Sequence, residues 1–231
     1  MKKVSLVVTT HNRTDLLEKT LASFFKFNSY PIEKTIIVED SGILQNFDAV
    51  RSIVRGPLSF IINEKNIGQI ASIDKAYAEV ETDYIFHCEE DWEFYQSGFI
   101  EKSFDILATD PKLFTVWLRA HHDTNDHAII FDQSYQLADG DHYYLMDGAR
   151  KKHWCGFTFN PGLRRTNDCM LFHPYNDLEV RKQKNGLLIM GEIDLSIYYQ
   201  EQGYRAAITS NEKGYVRHIG GKRHVPLPWQ R

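Results

Sequence analysis

The chain has 231 residues, long enough for one compact domain with its own core and short for two domains of ordinary size. Hydrophobic residues at 42% and charged residues at 25% sit near globular averages, which excludes a disordered, collagen-like or coiled-coil chain. A formal charge of -4 argues against a protein whose main work is wrapping nucleic acid.

The opening run Val4 to Thr9 is apolar and β-branched, the pattern of a strand covered on both faces of a parallel sheet. A helix is predicted next, with Asn12 as N-cap, Asp15 in the first turn, and Leu16, Leu17, Thr20, Leu21, Phe24 and Phe25 on one face. Tyr30-Pro31 ends it, and Thr35 to Val38 forms a second strand that runs into the polar turn Glu39-Asp40-Ser41-Gly42. Ser59 to Ile62 reads as a third strand. The helix from Gly68 carries Ile70, Ile73, Tyr77 and Val80, and Tyr84 to Cys88 makes a fourth strand. Strand and helix alternate, so the fold class is α/β: a mostly parallel, Rossmann-like sheet flanked by helices, in a single domain spanning 1–231.

Beyond it, a helix around Phe99, Ile100, Phe104 and Leu107 and a strand from Phe114 to Leu118 lead into His121 to His153. That stretch has poor periodicity and is expected to be irregular or a small excursion of hairpins. It is either a surface insertion or part of an acceptor site. Gly191 to Gln202 is the last clear helix, stopped by Gly203, and Arg217 to Arg231 is expected to be loop or arm.

Cys88, Cys155 and Cys169 are odd in number, with no C-x-x-C pair, which fits a reducing compartment. The run Val4 to Val8 is too brief for a signal-peptide core, and no stretch approaches the roughly 20 apolar residues of a membrane span. A cytoplasmic protein is expected, with peripheral contact to a membrane surface left open.

Open α/β sheets bind ligands at the carboxyl ends of their strands, and three polar clusters fall there: Thr9 to Arg13, Glu39 to Ser41, and Glu89-Glu90-Asp91. The acidic triplet offers hard oxygen ligands of the kind that hold Mg²⁺ or Mn²⁺ against a diphosphate. Taken alone it also reads as a solvated acidic turn, but three acids packed at the end of a buried strand repel one another, and a cation offsets that cost. Arg13 at a helix N-terminus opposes the helix dipole, and an anionic ligand would account for it. Glu39 and Asp40 read either as a plain Asx-type turn or as acceptors for a base or ribose.

Together, Val8-Thr9-Thr10-His11-Asn12-Arg13, Ile37-Val38-Glu39-Asp40-Ser41-Gly42, Asn63 to Gly68 and the acidic motif resemble a GT-A glycosyltransferase, especially glycosyltransferase family 2. The run Glu89 to Glu93 is also similar to the Glu-Asp-Asp-Leu-Glu motif of the N-acetylglucosaminyltransferase I type. Gly191-Glu192-Ile193-Asp194-Leu195 followed by Gly203-Tyr204-Arg205 resembles the family's late motif, and Val216 to Gly221 resembles its C-terminal histidine segment. The resemblance implies Asp91 and His218 as metal ligands and Glu192 as catalytic base in an inverting transfer. It places Thr9, His11, Arg13, Asp40, Asn66, Gly68, Glu89 and Glu90 toward a nucleoside diphosphate sugar, UDP by family habit.

Asp194 is kept as a helix-start residue. Lys222, Arg223 and His224 read as a solvated basic patch or a diphosphate cover, and Trp154 as core or a sugar-stacking ring. Gly156 to Gly162 corresponds in position to a strand beneath donor sugar and acceptor. Ile73-Asp74 stand where the family commonly has Arg-Asn, and His11 where Tyr is common, so stacking on a base would use imidazole.

The resulting expectation is a Mn²⁺- or Mg²⁺-dependent, inverting transfer of a hexosyl or N-acetylhexosaminyl unit to a glycan, lipid-linked or other hydroxyl acceptor, with no nucleic acid partner. Residues 1 to about 110 would hold the nucleotide, and 111–231 the acceptor and a tail that closes as a lid. Two alternatives stay open. A sugar-phosphate nucleotidyltransferase would normally carry a glycine-rich loop after the first strand, and Thr9 to Arg13 has no glycine. The other is a non-catalytic relative that binds a nucleotide or glycan.

Overall fold

All seven residues of β1 (Val4–Thr10) are buried, which makes this strand the middle of the sheet. In the computed structural model, which describes residues 1–148, 156–178 and 191–221, it is followed by α1 (Thr14–Phe27), β2 (Lys34–Glu39), α2 (Asp48–Ile53), β3 (Leu58–Ile62), α3 (Gln69–Ala78) and β4 (Tyr84–Glu89). Then come β5 (Trp92–Phe94), α4 (Phe99–Thr109), β6 (Leu113–Trp117), β7 (Ile129–Gln136), β8 (His142–Met146), β9 (Gly162–Arg165) and α5 (Thr166–Met170). The last elements are α6 (Glu192–Glu201), β10 (Arg205–Thr209) and β11 (Val216–His218).

The main sheet has the order β3-β2-β1-β4-β9, parallel except for β9, which runs antiparallel to β4. A second sheet, β6-β10-β8-β7, is mixed, and β5 pairs with β11 as a separate antiparallel ribbon. Alternation along the strands divides the core. Val4, Leu6 and Val8 join the cluster of Leu17, Leu21, Phe24 and Phe25 of α1, whereas Val7 and Ile36 face Ile70, Ile73 and Tyr77 of α3. Each such burial is worth roughly 1.5–3 kcal/mol. Thr9 lies level with Val38 on one side and Glu89 on the other, so the three polar strand ends form one edge. Among the described residues no helix is long and apolar enough to cross a membrane.

Some expectations shift. The N-cap of α1 is Arg13, without a side-chain cap, while Asn12 adopts a left-handed φ of 51°. Asn12 is drawn out of the capping role because its N–H donates to Glu39 Oε1 at 3.1 Å and its side-chain oxygen accepts from Gln45 at 2.9 Å. The strand expected over Gly156 to Gly162 begins only at Gly162, and Val80 lies beyond the end of α3. The described part of His121 to His153 contains the β7–β8 hairpin, one of the two outcomes expected of a stretch without clear periodicity. Trp154, Cys155, Lys222, Arg223, His224 and the rest of the tail lie outside the described residues.

Gly214 sets the path into β11. Its φ is +70°, and a Cβ there would fall 2.4 Å from Ala120 N and 2.5 Å from the Arg119 carbonyl carbon. Gly214→Ala therefore meets backbone on a strained turn, and a loss of about 2 kcal/mol is expected. For a chain of this size that is roughly a 4–8 °C fall in Tm; an unchanged Tm would show that the turn is not fixed as described.

Candidate active site

The end of β4 and the β5–β11 ribbon bring two distant residues together. His218 pairs in register with Trp92, directly after Asp91, and Ile219 N–H donates to the Asp91 carbonyl at 2.8 Å. This places His218 Nε2 3.2 Å from Asp91 Oδ2, with the imidazole edge-on to the Trp92 ring at 5.3 Å between centroids. Gly220 closes over the pair: a Cβ there would lie 2.4 Å from Asp91 Oδ2 and 2.9 Å from His218 Nε2. The two donor atoms thus share a space that any side chain at 220 would fill, and oxygen plus imidazole nitrogen suits Mn²⁺ well. Among the described residues no group of three or more His, Cys, Asp or Glu is arranged to hold a metal, so this pair would supply two ligands and leave other positions open.

Arg13 lies beside them, with Nε 2.6 Å from Glu90 Oε1 and Nη1 3.0 Å from Asp91 Oδ2. The anions that meet this helix-start cation therefore belong to the chain itself, a different account from the ligand that the sequence suggests. Burial pushes the Asp91 carboxyl up, but its hydrogen bond with His218 and the Arg13 charge outweigh that and hold it below the ordinary value. Glu90 is 3% exposed and also accepts from His11 N–H at 3.3 Å. Burial raises it to about 7 against the pull of Arg13 and with the push of Asp91. Glu89 accepts from Gln69 Nε2 at 2.7 Å and Trp92 Nε1 at 3.3 Å. Its pKa is well above the carboxylate range, through burial first and then the negative charges of Glu192, Asp91 and Glu90.

A second knot organises the β2 end. Asp40 Oδ1 accepts from Ile67 N–H at 2.8 Å and Asn63 Nδ2 at 2.9 Å, and Oδ2 accepts from Gly68 N–H at 2.8 Å. Gly68 needs its φ of 93° to enter α3, and Asn66 Oδ1 accepts from the same N–H at 3.0 Å. Glu39 is fully inside, bracing Asn12 and Ser41 N–H groups. Asp40, Asn66 and Gly68 thus fold one loop, while Thr9 is buried at the end of β1. Ile73 is fully buried and Asp74 caps the backbone of Tyr175 and Asn176 at 2.7 and 2.8 Å, so the Arg-Asn departure has a structural use.

The third component is Glu192, the first residue of α6. Asp194 accepts from Gly191 N–H at 3.1 Å and so satisfies a backbone donor at the helix start, the role expected of it. Glu192 points elsewhere: Oε1 accepts from Phe159 N–H at 2.6 Å and from Thr158 Oγ1 at 3.3 Å, and Oε2 has no hydrogen bond among the described residues. Burial raises its pKa, opposed by the Phe159 hydrogen bond and the charge of Arg164. Its negative charge is felt at Glu89, at the end of β4.

Two arginines escape a sequence reading. Arg119, 5% exposed, stacks its guanidinium over Trp92 at 5.1 Å and pairs with Asp123 at 2.7 Å. Its place after an apolar strand was the available signal. Arg164 is completely buried, and Gly162-Leu163-Arg164-Arg165 gives no hint of which arginine turns inward.

The family model described as glycosyl transferase family 2 matches residues 5–169. The uncharacterized glycosyltransferase YwdF of Bacillus subtilis (strain 168) is 34% identical over 101 residues, 43% of this chain and 36% of the relative. The mannosyltransferase PcManGT from Pyrobaculum calidifontis, solved in complex with GDP-Man and Mn²⁺, aligns with a TM-score of 0.66 at 16% identity, over 96% of this chain and 58% of its own. S. aureus TarS 1-349 aligns with a TM-score of 0.58 at 14% identity, over 94% and 60%. The chain spans about a third of the curated relative and less than two thirds of each of these structures.

Proposed function

Because the chain belongs to glycosyltransferase family 2 and has the GT-A fold, we propose that it transfers a sugar, with inversion, from a nucleoside diphosphate sugar to a hydroxyl acceptor. The observation that carries this reading is the facing Asp91–His218 pair under Gly220, with Glu192 held by one carboxylate oxygen at the start of α6 and its charge felt at Glu89. Glu192 Oε2 takes the proton from the acceptor hydroxyl as the new glycosidic bond forms, and its raised pKa brings it closer to the basicity that task needs. Asp91 and His218 would hold Mn²⁺ or Mg²⁺, which when bound neutralises charge gathering on the departing diphosphate. One carboxylate base is enough because the diphosphate leaves without protonation, unlike the two-carboxylate arrangement of glycoside hydrolysis.

Residues 1 to about 110 hold the donor, with the loop folded by Asp40, Asn66 and Gly68 against the nucleoside and Thr9, His11, Arg13, Glu89 and Glu90 around it. The remainder forms the acceptor side. The GDP-Man and Mn²⁺ named with PcManGT support a metal-bound nucleotide sugar; UDP is the base expected from the sequence resemblance. Free, buried Cys88 and Cys169 thiols favour a reducing, cytoplasmic setting.

The direct test is thermal stability with UDP, GDP, CDP or dTDP, each with Mn²⁺ and again with EDTA. At about 100 times Kd, one nucleotide is expected to add roughly 2.7 kcal/mol, about 5–10 °C in Tm, only when the metal is present. No shift with any nucleotide overturns the reading.

A further inference from the structure

Arg164 is fully buried, yet among the described residues its hydrogen-bond partners are all neutral: Tyr77 Oη at 3.2 Å, the Thr158 carbonyl, and the Asn160 carbonyl at 3.3 Å. Its Nε has no hydrogen-bond partner among the described residues, and the guanidinium lies 5.8 Å from the Phe114 ring and 5.7 Å from the Phe159 ring. A buried charge without a counter-ion is costly, and an apolar side chain of similar volume is often the more stable choice. Core packing alone therefore gives no reason for an arginine here.

The reason lies in the peptide it holds. Thr158 C=O and Phe159 N–H belong to one trans peptide group, so they point in opposite directions. Arg164 takes the carbonyl end and Glu192 Oε1 takes the N–H end at 2.6 Å. A cation on the carbonyl polarises the group and makes its N–H a better donor to a carboxylate. The second anchor, at the Asn160 carbonyl, holds the Asn160–Pro161 peptide further along, so both ends of the short segment are tied to Arg164.

We propose that Arg164 is the positioning residue for the base Glu192, acting through the Thr158–Phe159 peptide. It fixes Oε1 and leaves Oε2 directed to the acceptor, and it favours the ionised carboxylate. The inference rests on the reading of Glu192 as base. Among the described residues, the other charges acting on Glu192 include Glu89 from the end of β4, which opposes ionisation, and Arg119 after β6, which favours it; Asp194 on the same helix is turned to Gly191.

The test uses metal-dependent hydrolysis of UDP-glucose or GDP-mannose, whichever nucleotide the thermal screen selects, with water in the acceptor position. Arg164→Met is expected to lower kcat about 10- to 100-fold, to change donor KM by less than twofold, and to move the acid limb of the kcat–pH profile to higher pH. Arg164→Lys keeps the charge but not the fork, and is expected to recover the position of the limb with a smaller loss of kcat. An Arg164→Met protein with lowered Tm but wild-type kcat and acid limb overturns the proposal. Should Arg164→Met not fold, wild-type kcat in Arg164→Lys does the same. Glu192→Gln in parallel separates the layers. Loss of turnover there with a wild-type-like Arg164→Met sinks this inference alone, whereas retained turnover sinks the base assignment and this inference with it.

Discussion

Glu192→Gln is expected to cut turnover by about 10²–10⁴-fold, the range a general base supplies, while the metal-dependent stabilisation by nucleoside diphosphate persists. The amide keeps the acceptor bond to Phe159 N–H and loses only the ability to take a proton. The pH dependence follows from burial. The folded Glu192 pKa is raised, so its basic form disappears as pH falls through a value above that of an ordinary glutamate. Wild-type kcat should therefore decline on the acid side at higher pH than an exposed carboxylate would dictate, and the variant's residual rate should lack that limb. Rate–pH profiles of the two proteins at saturating donor decide it; full turnover in the amide variant would remove Glu192 from the chemistry.

The second large effect is expected at the facing pair. Asp91→Asn and His218→Ala should each abolish the Mn²⁺-dependent part of nucleotide binding, and each should lower turnover by about 100-fold or more, since such an ion contributes several kcal/mol of charge stabilisation. Stability without ligand should also fall somewhat at neutral pH in Asp91→Asn, because the buried carboxylate that His218 and Arg13 hold ionised is removed, although Arg13 retains Glu90 at 2.6 Å. Calorimetric titration of Mn²⁺ in the presence of the nucleoside diphosphate checks this, with EDTA-treated wild type as the reference. Wild-type metal affinity in both variants would place the ion elsewhere.

Much of the first half was readable because its signals are local. The buried run of β1, the apolar stripe of α1 and the strand ending at Glu89 each carry their own periodicity. What stayed hidden depends on partners far along the chain. The Asn12 side chain has the right chemistry for a cap, but Glu39 and Gln45 compete for the same residue and win. The three-residue β5 has no pattern of its own and exists because β11 pairs with it. Six-residue α2 is likewise too short to announce itself. Asp91 and His218 came from a family resemblance, since no spacing links them. Arg164 was invisible because arginine in sequence suggests surface, and only the carbonyls of Thr158 and Asn160 reveal its inward turn.

The β5–β11 ribbon has a consequence for how the protein comes into being. Asp91 emerges with the first half of the chain, but His218 is 218 − 91 = 127 positions later. During synthesis the parallel strands β1 to β4 can assemble while the metal pair is still only half present. Residue 218 must be synthesised before the Asp91–His218 pair can form, although the entropic cost of closing a loop grows only slowly with its length. On the proposed reading, a chain lacking β11 keeps the parallel strands β1 to β4 but loses one of the two residues that would hold the cation.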